Sequence, residues 1–500
     1  MTNAPALQAA SMIADYFATG RLDGLPSDHF IQGAWHPPAL GTYMEIFDPG
    51  RGVVFTKAAA GGADDVAAAV AAGKRAYRLW RAISPSARGR VLAKAAALFR
   101  AEAQRLGVIE ALESGKTLNE ALGDVESAAR LFEYYAGAAD KIEGESIPLG
   151  PQAFAMTMPE PVGVTAHIIP WNYPISTFAR SVAPALATGC AAIVKPAETT
   201  PHTALLMAEI LHHAGLPAGL CNVITGRGGD AGAALALHPE VAHISFTGSP
   251  ATGARVMQMA SEHFAKVSLE LGGKSPVIVL ADADLNIAAD GIISAIFENA
   301  GQICSAGSRL VVEKRIHRPL LELVCQKATS LTIGHGLQGY DMGAINSRPQ
   351  LEKILGFLEG ARQRGRHFAC GGTAYIAPDH PGGWYVTPTI IDDLPNDDPC
   401  VQEEIFGPVL AVQIVENAEA ALAAGNCTRY GLMAGLYTRD LPTALGMARD
   451  LCSGGVTINE YWGGGVQVPF GGTGWSGFGR EKGLEALRNF IQTKSIVYKI

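Results

Sequence analysis

The sequence predicts an α/β protein of two larger units, with two further strand segments outside them. Three observations carry that expectation. Short apolar runs at 162–169, 190–194, 220–225 and 241–247 alternate with helical patterns, as in a parallel sheet covered on both faces. A second alternation begins near SPVIVLADADL and runs past Trp462. The segment FAMTMPEP and the tail RNFIQTKSIVYK each read as a lone strand.

The elements follow in chain order. Residues 1 to about 30 read as an arm with one short helix. DDVAAAVAAGKRAYRLWRA has an acidic start and apolar residues at helical spacing. Helical patterns continue through GRVLAKAAALFRAEAQRLGVIEALESG and SAARLFEYYAGAADKI, where no chemistry is apparent. The character switches at Pro161, where strands begin to alternate with helices. In such sheets ligands bind beyond the carboxyl ends of the strands. The segments found there are PWNYP, KPAE, GRGGDAG and GSPATG, one after each strand. Runs such as HPPALG, APDHPGG and EYWGGGVQ read as loops.

Bulk properties narrow the class. Five hundred residues exceed one ordinary core, so two or three domains are expected. A formal charge of −8 without a Lys/Arg cluster argues against a nucleic-acid surface. Eight cysteines lie scattered, with no C-x-x-C and no Cys/His pair at zinc spacing, so reduced thiols in a cytoplasmic protein and no metal site are expected. The first residues lack the pattern of a signal peptide. The long uncharged stretch 161–179 holds His167, Asn172 and several prolines, so no membrane span is expected.

Each motif has a bland reading beside a chemical one. GRGGDAG matches G-x-G-x-x-A, but the spacing is weak in a chain with 58 glycines, and it reads as a loop. In FTGSPATG, Gly248 and Ser249 precede a helix starting near Pro250, with Gly253 on its inner side. This is either a plain turn or a helix N-terminus suited to a pyrophosphate. Lys195 and Glu198 of KPAE form either an exposed ion pair or donors and acceptors for a ribose, the acid favouring NAD over NADP. Cys304, in GQICSAGSR, is either a small buried hydrophobe or a thiol with room for a carbonyl beside it. Asn172 is either a turn residue or a fixed amide donor to an oxyanion. Glu270, at the mouth of the glycine turn in ELGGKSP, is either a solvated acid or a general base.

PWNYP, KPAE, FTGSPATG, ELGGKSP, GQICSAGSR, EEIFGPV and PFGGTGWSGFGRE occur in this order. Together they resemble the aldehyde dehydrogenase superfamily, from about Trp35 to the C-terminus. The resemblance implies a Rossmann-like NAD-binding domain over 1–138 and 161–270, a catalytic domain over 271–475, and an oligomerisation element from 139–160 and 476–500. It implies a hydrolytic, NAD-dependent enzyme, with Cys304 as nucleophile forming a thiohemiacetal and then a thioester. Asn172 and the Cys304 backbone N–H hold the oxyanion, Glu270 activates the hydrolytic water, and Glu481 is a second acid that relays protons. Ile169, Pro170, Trp171, Lys195, Glu198, Gly248, Ser249, Gly253, Leu271, Glu404 and Phe406 match cofactor contacts. The glycines after Glu270 leave space for the acid to move and for the nicotinamide to approach.

Two departures from the pattern, Cys190 and Gly474, do not touch the chemistry. Trp462 precedes a glycine run in the loop expected at the aldehyde entrance. Arg180 matches an arginine of semialdehyde and some aromatic-aldehyde enzymes; an interdomain salt bridge is an equal reading. The partner implied is a small aldehyde, and the assembly a homodimer or homotetramer. The competing readings are a CoA-acylating relative, disfavoured by an intact Glu270, and a catalytically retired scaffold.

Overall fold

The structure, a computed structural model, describes residues 4–499. Four successive helices, Ala63–Trp80, Pro85–Ala101, Ala103–Ser114 and Leu118–Ala138, form the helical wall of the first unit. Gly115, at φ 85°, ends the third helix. Thr117 starts the fourth with a capping box, its hydroxyl accepting from the Glu120 N–H while the Glu120 carboxylate accepts from the Thr117 N–H. Trp80, Phe99, Phe132 and Phe178 fill one core between this wall and the first sheet.

That sheet has eight strands, in the spatial order Ala34–His36, His29–Ile31, Cys221–Val223, Ala191–Lys195, Val164–Ile168, Val241–Gly248, Lys266–Leu271 and Gly477–Phe478. The five from Cys221–Val223 to Lys266–Leu271 run parallel, and antiparallel strands close both edges. Strand order reverses between Val164–Ile168 and Val241–Gly248. A crevice opens at such a switch point, beyond the strand ends. The predicted strands sit within a residue or two of their expected bounds.

The second unit is a seven-stranded sheet, ordered His367–Cys370, Thr389–Asp392, Val409–Val415, Arg309–Glu313, Pro276–Val279, Met433–Tyr437 and Gly455–Ile458. All pairs but the first are parallel. Separate apolar cores cover its two faces.

Ser146–Pro148, Ala153–Pro161 and Ile491–Lys499 form a third, antiparallel sheet. The boundary expected at 476 falls later. Gly477–Phe478 pairs with Leu269–Glu270 at the edge of the first sheet, and the turn of helix at Leu484–Phe490 packs against helix Pro174–Thr188. Residues 476–490 thus lie with the first unit. Among the described residues no helix is long and apolar enough to cross a membrane.

Candidate active site

The two units meet where PWNYP, ELGGKSP and GQICSAGSR come together. Strand Val164–Ile168 ends just before Pro170, Trp171 and Asn172, and helix Pro174–Thr188 follows. The buried Asn172 donates from Nδ2 to the Gln302 carbonyl at 2.8 Å, and its own carbonyl accepts from Asn299 Nδ2 at 3.1 Å. An amide nitrogen carries two protons, so one remains for another acceptor. Buried Lys116, 4.0 Å over the Tyr173 ring, supports this loop from below.

Cys304 follows a left-handed turn. Asn299 and Ala300 sit at φ 48° and 52°, in a region that costs about 1 kcal/mol or more per non-glycine residue. Three bonds hold the turn. Glu120 Oε1 accepts from the Asn299 N–H at 2.6 Å, Gln302 Nε2 donates to the Asn299 carbonyl at 3.0 Å, and Gln302 Oε1 accepts from the Asn346 N–H at 2.9 Å. The Cys304 thiol is pushed up to about 11, chiefly by burial and further by Glu270 and Glu404, with Arg180 opposing.

Glu270 is 3% exposed, and neither carboxylate oxygen finds a hydrogen-bond partner among the described residues. Its strand is buried on both faces from Ser268 to Leu271. Burial first, and then the nearby Glu481, raise the Glu270 carboxyl well above the ordinary carboxylate range. Cys304, Asn172 and Glu270 line one cavity of about 150 Å³, together with Glu404, Phe406, Gln350 and Lys353. Glu404 is pushed up to about 7 by burial, and its Oε1 accepts from the Gly273 N–H at 3.0 Å. Phe406, at φ 61°, packs edge-on to Trp171 and is held by Gln350 Nε2 donating to its carbonyl at 2.8 Å.

Beyond Trp171 the space widens into a crevice of about 760 Å³ at the switch point of the first sheet. Ile169, Pro170, Trp171, Lys195, Glu198, Gly248 and Ser249 all line it. Lys195 is buried and lies 3.4 Å from half-exposed Glu198; burial lowers the lysine. Ser249 caps helix Pro250–Ser261, accepting from the Thr252 N–H. Gly253 and Leu271 lie beneath the lining instead. A Cβ on Gly253 would meet Leu271 Cδ2 at 2.7 Å, so the glycine lets helix and strand close together.

The family follows from this architecture and from its relatives. The model of the aldehyde dehydrogenase family matches residues 35–496. The chain is 41% identical to a betaine aldehyde dehydrogenase of Cereibacter sphaeroides over 472 residues, covering 94% of this chain and 96% of that one. It is 40% identical to a hydroxyisobutyraldehyde dehydrogenase of Mycolicibacterium austroafricanum, covering 93% and 92%. The indole-3-acetaldehyde dehydrogenase of P. syringae, solved in complex with NAD+ and IAA, superimposes with a TM-score of 0.95 at 36% identity, covering 98% and 99%.

The chain belongs to the aldehyde dehydrogenase family.

As an aldehyde dehydrogenase it is an oxidoreductase that takes aldehydes to carboxylic acids, on an α/β scaffold with a Rossmann-like domain and a catalytic domain. Several of its features differ from the expectations raised by the sequence. GRGGDAG is not a bystander loop: Gly228, Gly229 and Gly232, in a π-helical turn, line the crevice. The glycines of ELGGKSP make room for Glu404 and for the Cys304 backbone, since a Cβ on Gly272 would meet Glu404 Oε2 at 2.2 Å and one on Gly273 would meet the Cys304 carbonyl at 2.6 Å. The glycine that abuts Glu270 is Gly471, whose Cβ would lie 2.6 Å from Glu270 Oε1.

Arg180 is held by Glu481: Nε donates to Glu481 Oε2 at 2.6 Å, and the guanidinium stacks on Phe470. Both residues lie in the first unit, so this ion pair does not bridge the two units. Trp462 is 41% exposed and lines neither cavity; it donates to Ser294 Oγ at 2.8 Å and packs edge-on to Tyr461. Tyr461 in turn donates to the Ser305 carbonyl at 2.6 Å, which places Trp462 one shell away from Cys304. Gln350 and Lys353 carry no local sequence signal, being two polar residues on an ordinary amphipathic helix.

Proposed function

We propose that this enzyme oxidises its aldehyde with NAD by a hydrolytic route through Cys304. The observation that carries the reading is one cavity lined by both a thiol and a buried carboxyl that has no hydrogen-bond partner among the described residues. An orphaned buried acid costs folding energy and calls for a role. Cys304 gives its proton to water and its Sγ adds to the aldehyde carbon, the carbonyl π pair moving onto oxygen to give a thiohemiacetal in its oxyanion form. The free proton of the Asn172 amide and the Cys304 N–H stabilise the oxyanion.

The residues present fit a dinucleotide. Gly228 and Gly229 line the crevice with open space where a side chain would project, Lys195 is a buried donor, and a capped helix begins at Ser249. When bound, NAD supplies the acceptor for the hydride that leaves the substrate carbon. Lys195, Glu198, Gly248 and Ser249 would hold the adenosine and pyrophosphate, and Glu404 and Phe406 the nicotinamide ribose. Gly253 and Leu271 would support the crevice from beneath. With the hydride gone, the carbon is a thioester on Cys304. Glu270 takes a proton from water as the water oxygen attacks, the C–S bond breaks, and the acid leaves with the thiol restored. Glu481 would pass the proton outward.

Subunits associate through the third sheet. Ile491–Lys499 is an edge strand, paired with Ala153–Pro161 on one side and open on the other among the described residues, with Ile496, Val497 and Tyr498 exposed, and such a strip is stable when a neighbour covers it. A homodimer or homotetramer in the cytoplasm suits this surface and the eight free cysteines.

The test is reduction of NAD and of NADP by the purified protein across an aldehyde panel, with and without CoA. Turnover with NAD and water that disappears in Cys304→Ala supports the reading. Turnover only with CoA would replace it by acyl transfer.

A further inference from the structure

Two of the eight free cysteines come together at the edge of the second unit. Cys325 lies on helix Lys314–Ser330 and Cys370 ends strand His367–Cys370, and the helix packs against that strand. One carboxylate ties the two elements at their starts. Asp392 Oδ1 pairs with His317 Nε2 of the helix at 2.8 Å, and Asp392 Oδ2 lies 4.0 Å from His367 Nδ1 of the strand. The helix follows strand Arg309–Glu313 and runs back against it. His367–Cys370 is antiparallel to the strands of that sheet, so helix and edge strand run the same way. From His317 to Cys325 the helix advances about 12 Å, and from His367 to Cys370 the strand advances about 10 Å. The two cysteines therefore arrive side by side.

Both are half-buried against the same apolar core, and Cys370 Sγ lies 3.7 Å from the Pro388 carbonyl. A hydrogen bond between the two thiols lowers Cys325 and raises Cys370, which makes Cys325 the readier thiolate of the pair. Neither lines the catalytic cavity or the crevice, so no step of the oxidation uses them. The strand they join is poorly held. It is the edge of its sheet, and a bulge between Phe368 and Cys370 breaks its ladder to Thr389–Asp392. Gly371 and Gly372 follow at φ 69° and 96°, so the chain turns away directly after Cys370.

We propose that Cys325 and Cys370 form a redox-active dithiol, a modification site that a hydroperoxide closes into a disulfide and a dithiol reductant reopens. The Cys325 thiolate attacks one peroxide oxygen. An S–O bond forms, the O–O bond breaks, and the departing oxyanion takes a proton from water. The Cys370 sulfur then displaces that oxygen from Cys325, so that an S–S bond forms and the S–O bond breaks. The leaving hydroxide takes the Cys370 proton and departs as water. The two thiols lose two electrons in all, and the peroxide gains them. Closed, the bond pins the edge strand to the helix and constrains the unfolded chain between residues 325 and 370. Transient disulfides of this kind suit a compartment that otherwise keeps thiols reduced. The site stands apart from the route through Cys304, and each can fail without the other.

The test treats the full-length protein with a few equivalents of hydrogen peroxide, blocks the remaining thiols with N-ethylmaleimide and maps the peptides by mass. The expected product is a linked pair of peptides carrying Cys325 and Cys370, lighter by two hydrogens and cleaved by dithiothreitol. It should form before the exposed Cys452 is consumed. In Cys370→Ser the reaction should stop at a Cys325 sulfenic acid that dimedone traps, and in Cys325→Ser no such adduct should appear on Cys370. Oxidised wild type should unfold about 3–10 °C above its reduced form, a rise absent from both serine variants. Recovery of Cys325 and Cys370 as maleimide adducts after Cys452 is already oxidised overturns the proposal, and the two are then inert core thiols. A linked pair that forms without any rise in Tm overturns the claim that the bond pins the strand.

Discussion

Replacing Glu120 by alanine removes acceptors at two places at once. One carboxylate oxygen accepts from the Thr117 N–H at 2.7 Å and hydroxyl at 2.9 Å, closing the capping box of helix Leu118–Ala138. The other accepts from the Asn299 N–H at 2.6 Å, which bears on the left-handed turn ahead of Cys304. Loss of the cap costs about 1 kcal/mol. Asn299 is 2% exposed, so its N–H would be left without an acceptor or water, at about 1–3 kcal/mol. Urea unfolding of Glu120→Ala should therefore show a loss of about 2–4 kcal/mol. Glu120→Gln, whose amide has one acceptor oxygen, should lose about half of that. Freed from its tether, the turn relaxes toward ordinary φ and moves Cys304. A displacement of about 1 Å lowers kcat on the order of 100-fold. KM for NAD should stay as it was, since the crevice is built from the other sheet. A Glu120→Ala enzyme that unfolds more easily but keeps its kcat would refute the claim that this bond positions the nucleophile.

Three further outcomes follow from the same geometry. Arg180→Met strands the buried Glu481 carboxylate and should destabilise the protein by about 3–5 kcal/mol, and the double variant Arg180→Met/Glu481→Gln should recover most of it in the same unfolding assay. Glu198→Gln should shift the kcat/KM ratio toward NADP by only about 3–10-fold, because half-exposed Glu198 is screened by water; a complete switch would show that Glu198 alone sets the choice. With the Cys304 thiol near 11 in the free enzyme, its alkylation by iodoacetamide should rise about tenfold per pH unit from 7 to 9, and a plateau below pH 9 would show an already ionised thiol.

Much of this was legible in the sequence because it is local. The strands around Val164–Ile168 and Val241–Gly248 announce themselves by composition and by the turns that follow, and Ser249–Pro250 marks a helix start whatever surrounds it. Asn172, Glu270 and Cys304 stood out by motif, and folding brings all three to one cavity. What stayed hidden depends on contacts between distant segments. Glu120 belongs to a helix with no visible chemistry and meets Asn299 only after both units close. Arg180 has two readings until Glu481, far along the chain, arrives beside it. The crevice-lining glycines of GRGGDAG were masked by the abundance of glycine elsewhere.

The central claim is the division of labour between Cys304 and Glu270, and a single-turnover experiment on Glu270→Gln tests it most directly. Mixed with NAD and a good aldehyde, this variant should release one equivalent of NADH per site in a burst and then nearly stop. Intact mass spectrometry should find the acyl group on Cys304. Removal of a general base costs about 10²–10⁴-fold in the hydrolytic step and leaves the earlier one standing. Continued turnover at the wild-type rate, or a burst with no adduct on Cys304, would contradict the account.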